Sequence, residues 1–172
     1  MDNKIYRLNI VLVEPQIPQN TGNIARTCAA TGSVLHMIKP LGFSLEEKQL
    51  KRAGLDYWPQ LDWALYEDFA DFEAKNPDGH KYFLTTKARR RYTDAVFRDG
   101  DYLIFGKETA GIPEELLLEH EEDCLRIPMV KDNRSLNLSN SAAIVLYEAL
   151  RQLDFAGLES QGELHRLSWK NP

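Results

Sequence analysis

Side chains able to hold a small polar ligand crowd one stretch, Arg126 to Leu153, which reads RIPMVKDNRSLNLSNSAAIVLYEALRQL. An apolar strand end, Cys124 to Ile127, is closed by Pro128. A loop dense in Asn133, Ser135, Asn137, Ser139, Asn140 and Ser141 follows. A helix is predicted next, because Ala142, Leu146, Ala149, Leu150 and Leu153 recur at helical spacing while Glu148, Arg151 and Gln152 fall on another face. Ser139 or Asn140 is expected to cap it, since their side-chain oxygens accept from the free N–H groups of a first turn. Strand, donor-rich loop and helix N-terminus in succession suit a small polar ligand. The same residues would also make an ordinary well-capped helix, so the choice turns on the rest of the chain.

Two further loops bear on it. Pro15 to Arg26 combines two prolines, Gln-Asn, a glycine and one arginine; Gly106 to Pro113 combines two glycines, Lys107 and Glu108. Both follow apolar runs that read as strands. In open α/β sheets ligands bind beyond the carboxyl ends of the strands, so the three loops are expected to gather at one end of a sheet. Commoner chemistries find no footing. The 10 glycines never occur as GxG, which removes the usual dinucleotide fingerprint. There is no GxxxxGK[ST] phosphate loop and no GxSxG nucleophile elbow. His36, His80, His120 and His165 show no paired metal spacing, and no structural metal is expected.

The elements that must position these loops alternate. Residues from near Tyr6 to Val13 read as a central buried strand ended by Pro15. A helix capped by Asn20 or Thr21 runs to Thr31 and stops at Gly32, with Ile24, Cys28 and Thr31 inward and Arg26 off that face. Val34 to Ile38 completes a βαβ unit. Ser44 with Glu47 fits a capping box for a helix to about Ala53. Tyr57, Trp58 and Trp63 form an aromatic segment, and Tyr66 to Lys75 reads as a helix with Phe69 and Phe72 inward. Strands are expected at Tyr82 to Thr86, Asp101 to Phe105 and Cys124 to Ile127, with a short helix from Glu114 to His120 that Pro113 starts. The tail beyond Phe155 has no period. The class is therefore α/β: a mostly parallel sheet flanked by helices, with residues 1–155 as one domain and 156–172 as a tail.

With 172 residues and 43% apolar composition the chain can bury one core. No apolar run approaches the ~20 residues of a membrane helix, and the N-terminus has no signal-peptide pattern. Cys28 and Cys124 lie far apart, so a cytoplasmic protein with reduced thiols is expected. A net charge of −5 argues against a surface that grips nucleic acid everywhere. One local basic run exists, Lys87, Arg89, Arg90 and Arg91, which alone reads most simply as a solvated loop.

Three stretches together resemble the motifs of the SPOUT RNA methyltransferases: Ile17-Pro-Gln-Asn-Thr-Gly-Asn-Ile-Ala-Arg26, Leu103-Ile-Phe-Gly-Lys-Glu-Thr-Ala-Gly-Ile-Pro113, and Ile127-Pro-Met with Arg134-Ser-Leu-Asn-Leu-Ser-Asn-Ser141. The pattern is similar to the small single-domain branch that 2′-O-methylates the wobble nucleotide, cytidine or uridine, of the tRNA anticodon. The resemblance spans Leu8 to about Leu153. It implies a deep C-terminal trefoil knot, which periodicity never shows and general topology rules disfavour. It also implies S-adenosyl-L-methionine as cofactor, S-adenosyl-L-homocysteine as product and no metal. A homodimer with shared active sites, acting on the tRNA anticodon stem-loop and not on a membrane, follows in the same way.

By motif position the resemblance assigns the cofactor to Leu84, Thr85, Gly106, Glu108, Ile127, Met129, Ser135 and Leu136. Leu84, Ile127 and Leu136 can wall an adenine slot, and Gly106 would let backbone approach the sugar. Arg26 matches the family's motif arginine. Its pKa above ~12 makes it a poor general base, so it is expected to hold the phosphate beside the nucleophile and stabilise a developing alkoxide. Asn20, Ser135 or Asn137 would orient the ribose hydroxyl; the proton acceptor stays open, with Glu108 as one candidate. Lys87, Arg89 and Arg90 become RNA contacts. A catalytically idle RNA-binding relative, a methyltransferase of another RNA and an NAD enzyme are the competing readings.

Overall fold

A computed structural model describes residues 5–46 and 58–170. Among the described residues, seven strands form one parallel sheet: β1 (Asn9–Val13), β2 (Val34–Ile38), β3 (Trp63–Tyr66), β4 (Lys81–Leu84), β5 (Arg90–Arg91), β6 (Tyr102–Phe105) and β7 (Cys124–Arg126). Their order is β3-β2-β1-β6-β4-β7-β5. The main helices are α1 (Pro18–Thr31), α2 (Phe69–Lys75), α3 (Glu114–Glu119) and α4 (Leu138–Gln152).

The strands are apolar throughout because both faces are covered, as parallel sheets require. Alternate residues go to opposite layers. Ile10, Leu12, Leu35, Met37, Leu103 and Phe105 pack with Ile24, Ala25 and Cys28 of α1 and with Ala142, Val145, Leu146 and Ala149 of α4. Val11, Val13, Ile38, Phe83 and Ile104 pack on the other side with Phe72 of α2 and Leu117 of α3. His36 lies in that second layer, where Nδ1 pairs with the Tyr66 hydroxyl at 2.8 Å and Nε2 with Asn9 Oδ1 at 2.9 Å.

Several boundaries differ from expectation, each for a local reason. The segment before Asn9 is not strand, so β1 starts three residues later than expected near Tyr6. Helix α1 starts at Pro18, not after an Asn20 or Thr21 cap; proline's fixed φ suits the first helical position, and Ile17 stands before it with no side-chain cap. Gly32 does end it, at φ 68°, a left-handed conformation that favours glycine. The expected helix after Ser44 lies mostly outside the described residues, as does Tyr57.

Trp63 to Tyr66 is strand, not the aromatic segment and helix start expected, and α2 begins at Phe69 where the Asp68 carboxylate accepts from Asp71 N. Pro113 is the residue before α3 rather than its first residue. Strand β4 ends at Leu84, which releases Thr85 and Thr86 into a turn. The basic loop holds a strand of its own: Arg90 and Arg91 pair with Leu125 and Arg126. Helix α4 is capped by Asn137, ahead of the expected Ser139 or Asn140. Phe155 and Leu158 pack against the core, and the exposed irregular tail follows them.

Candidate functional site

Because every strand is parallel, all carboxyl ends lie at one edge of the sheet. Three neighbouring strands, β6, β4 and β7, end there at Phe105, Leu84 and Arg126. The segments that follow enclose a cavity of about 600 Å³, within the range of small-molecule sites. Residues 84–87, 105–112 and 134–138 form most of its wall, with Ile127, Met129, Ile17 and Asn20 closing it. All eight residues expected to hold the cofactor line this one cavity: Leu84, Thr85, Gly106, Glu108, Ile127, Met129, Ser135 and Leu136. Asn20 and Asn137 line it too.

One hydrogen-bonded chain ties the three loops together. The Glu108 carboxylate accepts from Gln16 N at 2.9 Å and Ile17 N at 3.0 Å, two amides ahead of α1. It also accepts from Asn20 Nδ2 at 3.2 Å. Asn20 Oδ1 in turn accepts from Asn137 Nδ2 at 3.1 Å. Asn137 Oδ1 caps α4, accepting from Ser139 N at 2.9 Å and Asn140 N at 3.3 Å. Asn20 is buried, whereas Ser135, Leu136 and Asn137 are exposed at the cavity mouth.

Glu108 therefore spends its lone pairs on the start of α1, a holding arrangement rather than that of a waiting base. Beside it, Thr109 Oγ1 donates to Gln16 Oε1 at 2.7 Å, and Lys107 Nζ pairs with Glu14 Oε2 at 2.7 Å. The 106–113 and 14–20 segments are thus joined at several points.

Gly106 has a steric reason to be glycine within its own loop. A Cβ there would lie 2.0 Å from Gly111 C and 2.2 Å from Ile112 N. The fold of that loop by itself excludes a side chain. The cavity is also lined by Lys107 and Arg134, to which the resemblance assigns no role. Arg134 sits inside the third motif next to Ser135, and that adjacency was the available signal.

Arg26 is the exception. It is exposed on α1 and is not among the residues lining its own chain's cavity. Lys87 reaches the cavity; Arg89 and Arg90 line a neighbouring cleft instead. Neither cysteine is placed to act as a nucleophile: both are buried, and burial pushes the Cys28 thiol up to about 12. Among the described residues there is no group of side chains arranged to hold a metal ion, and no helix long and apolar enough to cross a membrane.

A parallel sheet with a ligand-sized cavity built from the loops beyond its strand ends defines an α/β ligand-binding fold. The family is established by sequence: residues 7–147 match the SpoU rRNA Methylase family, and the chain belongs to it. A tRNA (cytidine(34)-2′-O)-methyltransferase of Methylovorus glucosotrophus is 53% identical over 150 residues, covering 87% of this chain and 97% of that protein. The protein of the same name from Escherichia coli K12 is 50% identical over 152 residues, covering 87% and 96%. A solved structure described as giving insight into the 2-OH methylation of C/U34 on tRNA superimposes with a TM-score of 0.83 at 46% identity, covering 88% of this chain and 99% of that one. The AviRb methyltransferase of Streptomyces viridochromogenes, solved with AdoMet, shares the fold with a TM-score of 0.74 at 22% identity, covering 88% and 62%.

Proposed function

We propose that this protein transfers a methyl group from S-adenosyl-L-methionine to the ribose 2′-oxygen of the wobble nucleotide, cytidine or uridine, in the tRNA anticodon loop. The observation that carries the reading is the convergence of three distant motif loops on one cavity, locked together through Glu108, Asn20 and Asn137. Relatives at about half identity over nearly their whole length are named tRNA (cytidine(34)-2′-O)-methyltransferases.

The cavity fits the cofactor. Leu84, Ile127 and Leu136 supply apolar walls for an adenine, and the Thr85 and Ser135 side chains lie among them. When bound, S-adenosyl-L-methionine supplies an electrophilic methyl on a sulfonium. The protein's part is to orient the nucleophile and manage its charge. Ser135 and Asn137, exposed at the mouth, can hold the ribose hydroxyl. Asn20 holds Asn137 from behind, which limits that amide to one orientation. Glu108 keeps the start of α1 against the cavity. Arg26 stabilises the alkoxide and the adjacent phosphate, since a guanidinium is a fixed cation with a planar set of donors.

Arg26 stands outside its own cavity, which favours a homodimer in which one protomer's arginine completes its partner's site. Ile144 and Tyr147, exposed on α4 opposite its buried face, offer apolar surface for that contact. In this reading residues 1–155 are the working unit, the C-terminal part is threaded as a trefoil knot, 156–172 form an appended tail, and the protein acts in the cytoplasm. Lys87, Arg89 and Arg90 face the RNA.

The test is tritium transfer from labelled S-adenosylmethionine to undermodified tRNA, followed by mass-spectrometric mapping of the methylated nucleotide. Label on the wobble ribose is expected. RNA binding without incorporation would favour an idle relative. Arg26→Ala is expected to abolish turnover and leave S-adenosylhomocysteine affinity, measured by calorimetry, within about twofold. Mixing it with a second inactive variant, Ser135→Ala/Asn137→Ala, should restore part of the activity if sites are shared. Absence of any rescue would place Arg26 in its own chain's site.

A further inference from the structure

Beside the first cavity lies a cleft of about 870 Å³ between the 85–90 segment and the 114–124 segment; the two cavities share Thr85 and Lys87. Lys87, Arg89 and Arg90 line it and Arg91 lies beside it, and these cations fall into two kinds. Arg90 donates to the Asp94 carbonyl at 2.9 Å and the Glu122 carbonyl at 3.4 Å. Arg91 is held by both carboxylate oxygens of Asp94, at 3.0 and 2.9 Å. These two pin the short strand β5. Lys87 and Arg89 instead reach across the cleft to single carboxylate oxygens: Lys87 to Glu114 at 2.7 Å and Arg89 to Glu121 at 3.1 Å. All four of these side chains are more than half exposed, so the pairs are open to exchange. The Lys87 ammonium beside Glu114 holds that carboxyl below its usual range.

We propose that Glu114 and Glu121 are intramolecular stand-ins for RNA phosphates: they occupy Lys87 and Arg89 in the free enzyme and are displaced when the strand flanking the target nucleotide enters the cleft. The inference rests on the RNA-modifying function proposed above. The chemistry is an exchange of one anion for another on the same cation. A chain of net charge −5 that must bind a polyanion gains discrimination this way. Loose contact with any RNA has to break both pairs, while a substrate anchored in the neighbouring cavity breaks them intramolecularly. A cation released from a carboxylate leaves that carboxylate to take up a salt cation, which offsets part of the counterion release that drives RNA binding. The salt dependence of the wild type is therefore muted.

The experiment compares the full-length double variant Glu114→Gln/Glu121→Gln with the wild type, titrating tRNA and a poly(U) oligonucleotide at several salt concentrations. Affinity should rise by about two- to fivefold per carboxylate removed, with the larger rise for poly(U), and the plot of log K against log salt should steepen by about one to two. The control is Glu115→Gln/Glu119→Gln, an equal charge change on α3, the helix that carries Glu114, at residues not ion-paired among the described residues. It should produce a smaller rise and leave the slope unchanged. Equal effects from the two doubles would reduce the result to bulk charge and overturn the proposal, as would an unchanged or weaker affinity in the first. A separate variant, Arg89→Ala, tests the underlying reading. If it leaves tRNA affinity intact, this face does not meet RNA; if it weakens binding while the carboxylate double is silent, only the exchange idea fails.

Discussion

Asn137 serves two partners with one amide. Its oxygen caps α4 and its nitrogen donates to Asn20. Asn137→Ala removes both and should lower stability by about 1–2 kcal/mol, read from urea unfolding. Asn137→Asp separates the roles, because a carboxylate still caps but presents only acceptors to Asn20 Oδ1. Stability is then expected to stay within about 0.5 kcal/mol of wild type while S-adenosylhomocysteine affinity falls about tenfold. Equal affinity in the two proteins would show that the link to Asn20 does not shape the cavity. Residue types were legible in advance at this scale, and their partners were not. The residue types suit a nucleophile-holding role, but that Asn20 and Asn137 are bonded to each other across 117 positions of chain is visible only in the fold. So is the crowding of Gly106 by Gly111 and Ile112. Such contacts depend on coordinates that local sequence does not encode.

Helix α1 is an element whose start is set from elsewhere. Pro18 gives it a first residue, but the two amides before it are satisfied by Glu108, which arrives from the loop after β6. Glu108→Gln replaces one acceptor oxygen with an N–H₂ group, so one of the two amides loses its partner. Hydrogen exchange at Gln16 and Ile17 is expected to accelerate at least tenfold, with cofactor affinity reduced and the fold retained. Unchanged protection would mean the loop backbone alone holds the helix start. Long strands and helices with a period were readable from sequence, as β2, α1 and α4 show. Strands β3 and β5 were not, because edge strands of four and two residues carry no period and exist only where a neighbouring strand offers its free backbone groups.

At the scale of the whole molecule, His36 couples the sheet to pH. Asn9 Nδ2 donates to the carbonyls of Gly100 and Asp101, so Asn9 Oδ1 must accept from His36 Nε2. Nδ1 then accepts from Tyr66, and Asn76 joins Tyr66 to Tyr102. The ring is neutral in this network, and burial, with Arg7 nearby, pushes its pKa down from 6.5 to about 4. Between those values the unfolded chain binds a proton that the folded one refuses. The contribution is fully present above pH 6.5 and is lost as pH falls toward 4, at no more than about 1.4 kcal/mol per pH unit. Asp101 acts with the opposite sign, since burial raises its carboxyl. The comparison is therefore with His36→Gln: unfolding at pH 7, 6 and 5 should show the wild type losing stability more steeply than the variant. Parallel curves would mean the ring takes up its proton in the fold as readily as in the unfolded chain. By itself the sequence determined the α/β class, the parallel sheet and the three motif loops, because hydrophobic period and turn residues act over short distances; its resemblance to known motifs supplied eight residues of the cavity wall. Tertiary structure alone decided which loop residue holds which, that Arg26 stands away from its own cavity and that Lys87, Arg89 and Arg91 of the basic run are already paired with carboxylates. Those facts come from segments far apart in the chain meeting at one edge of a sheet, where position depends on the packing of every layer beneath them.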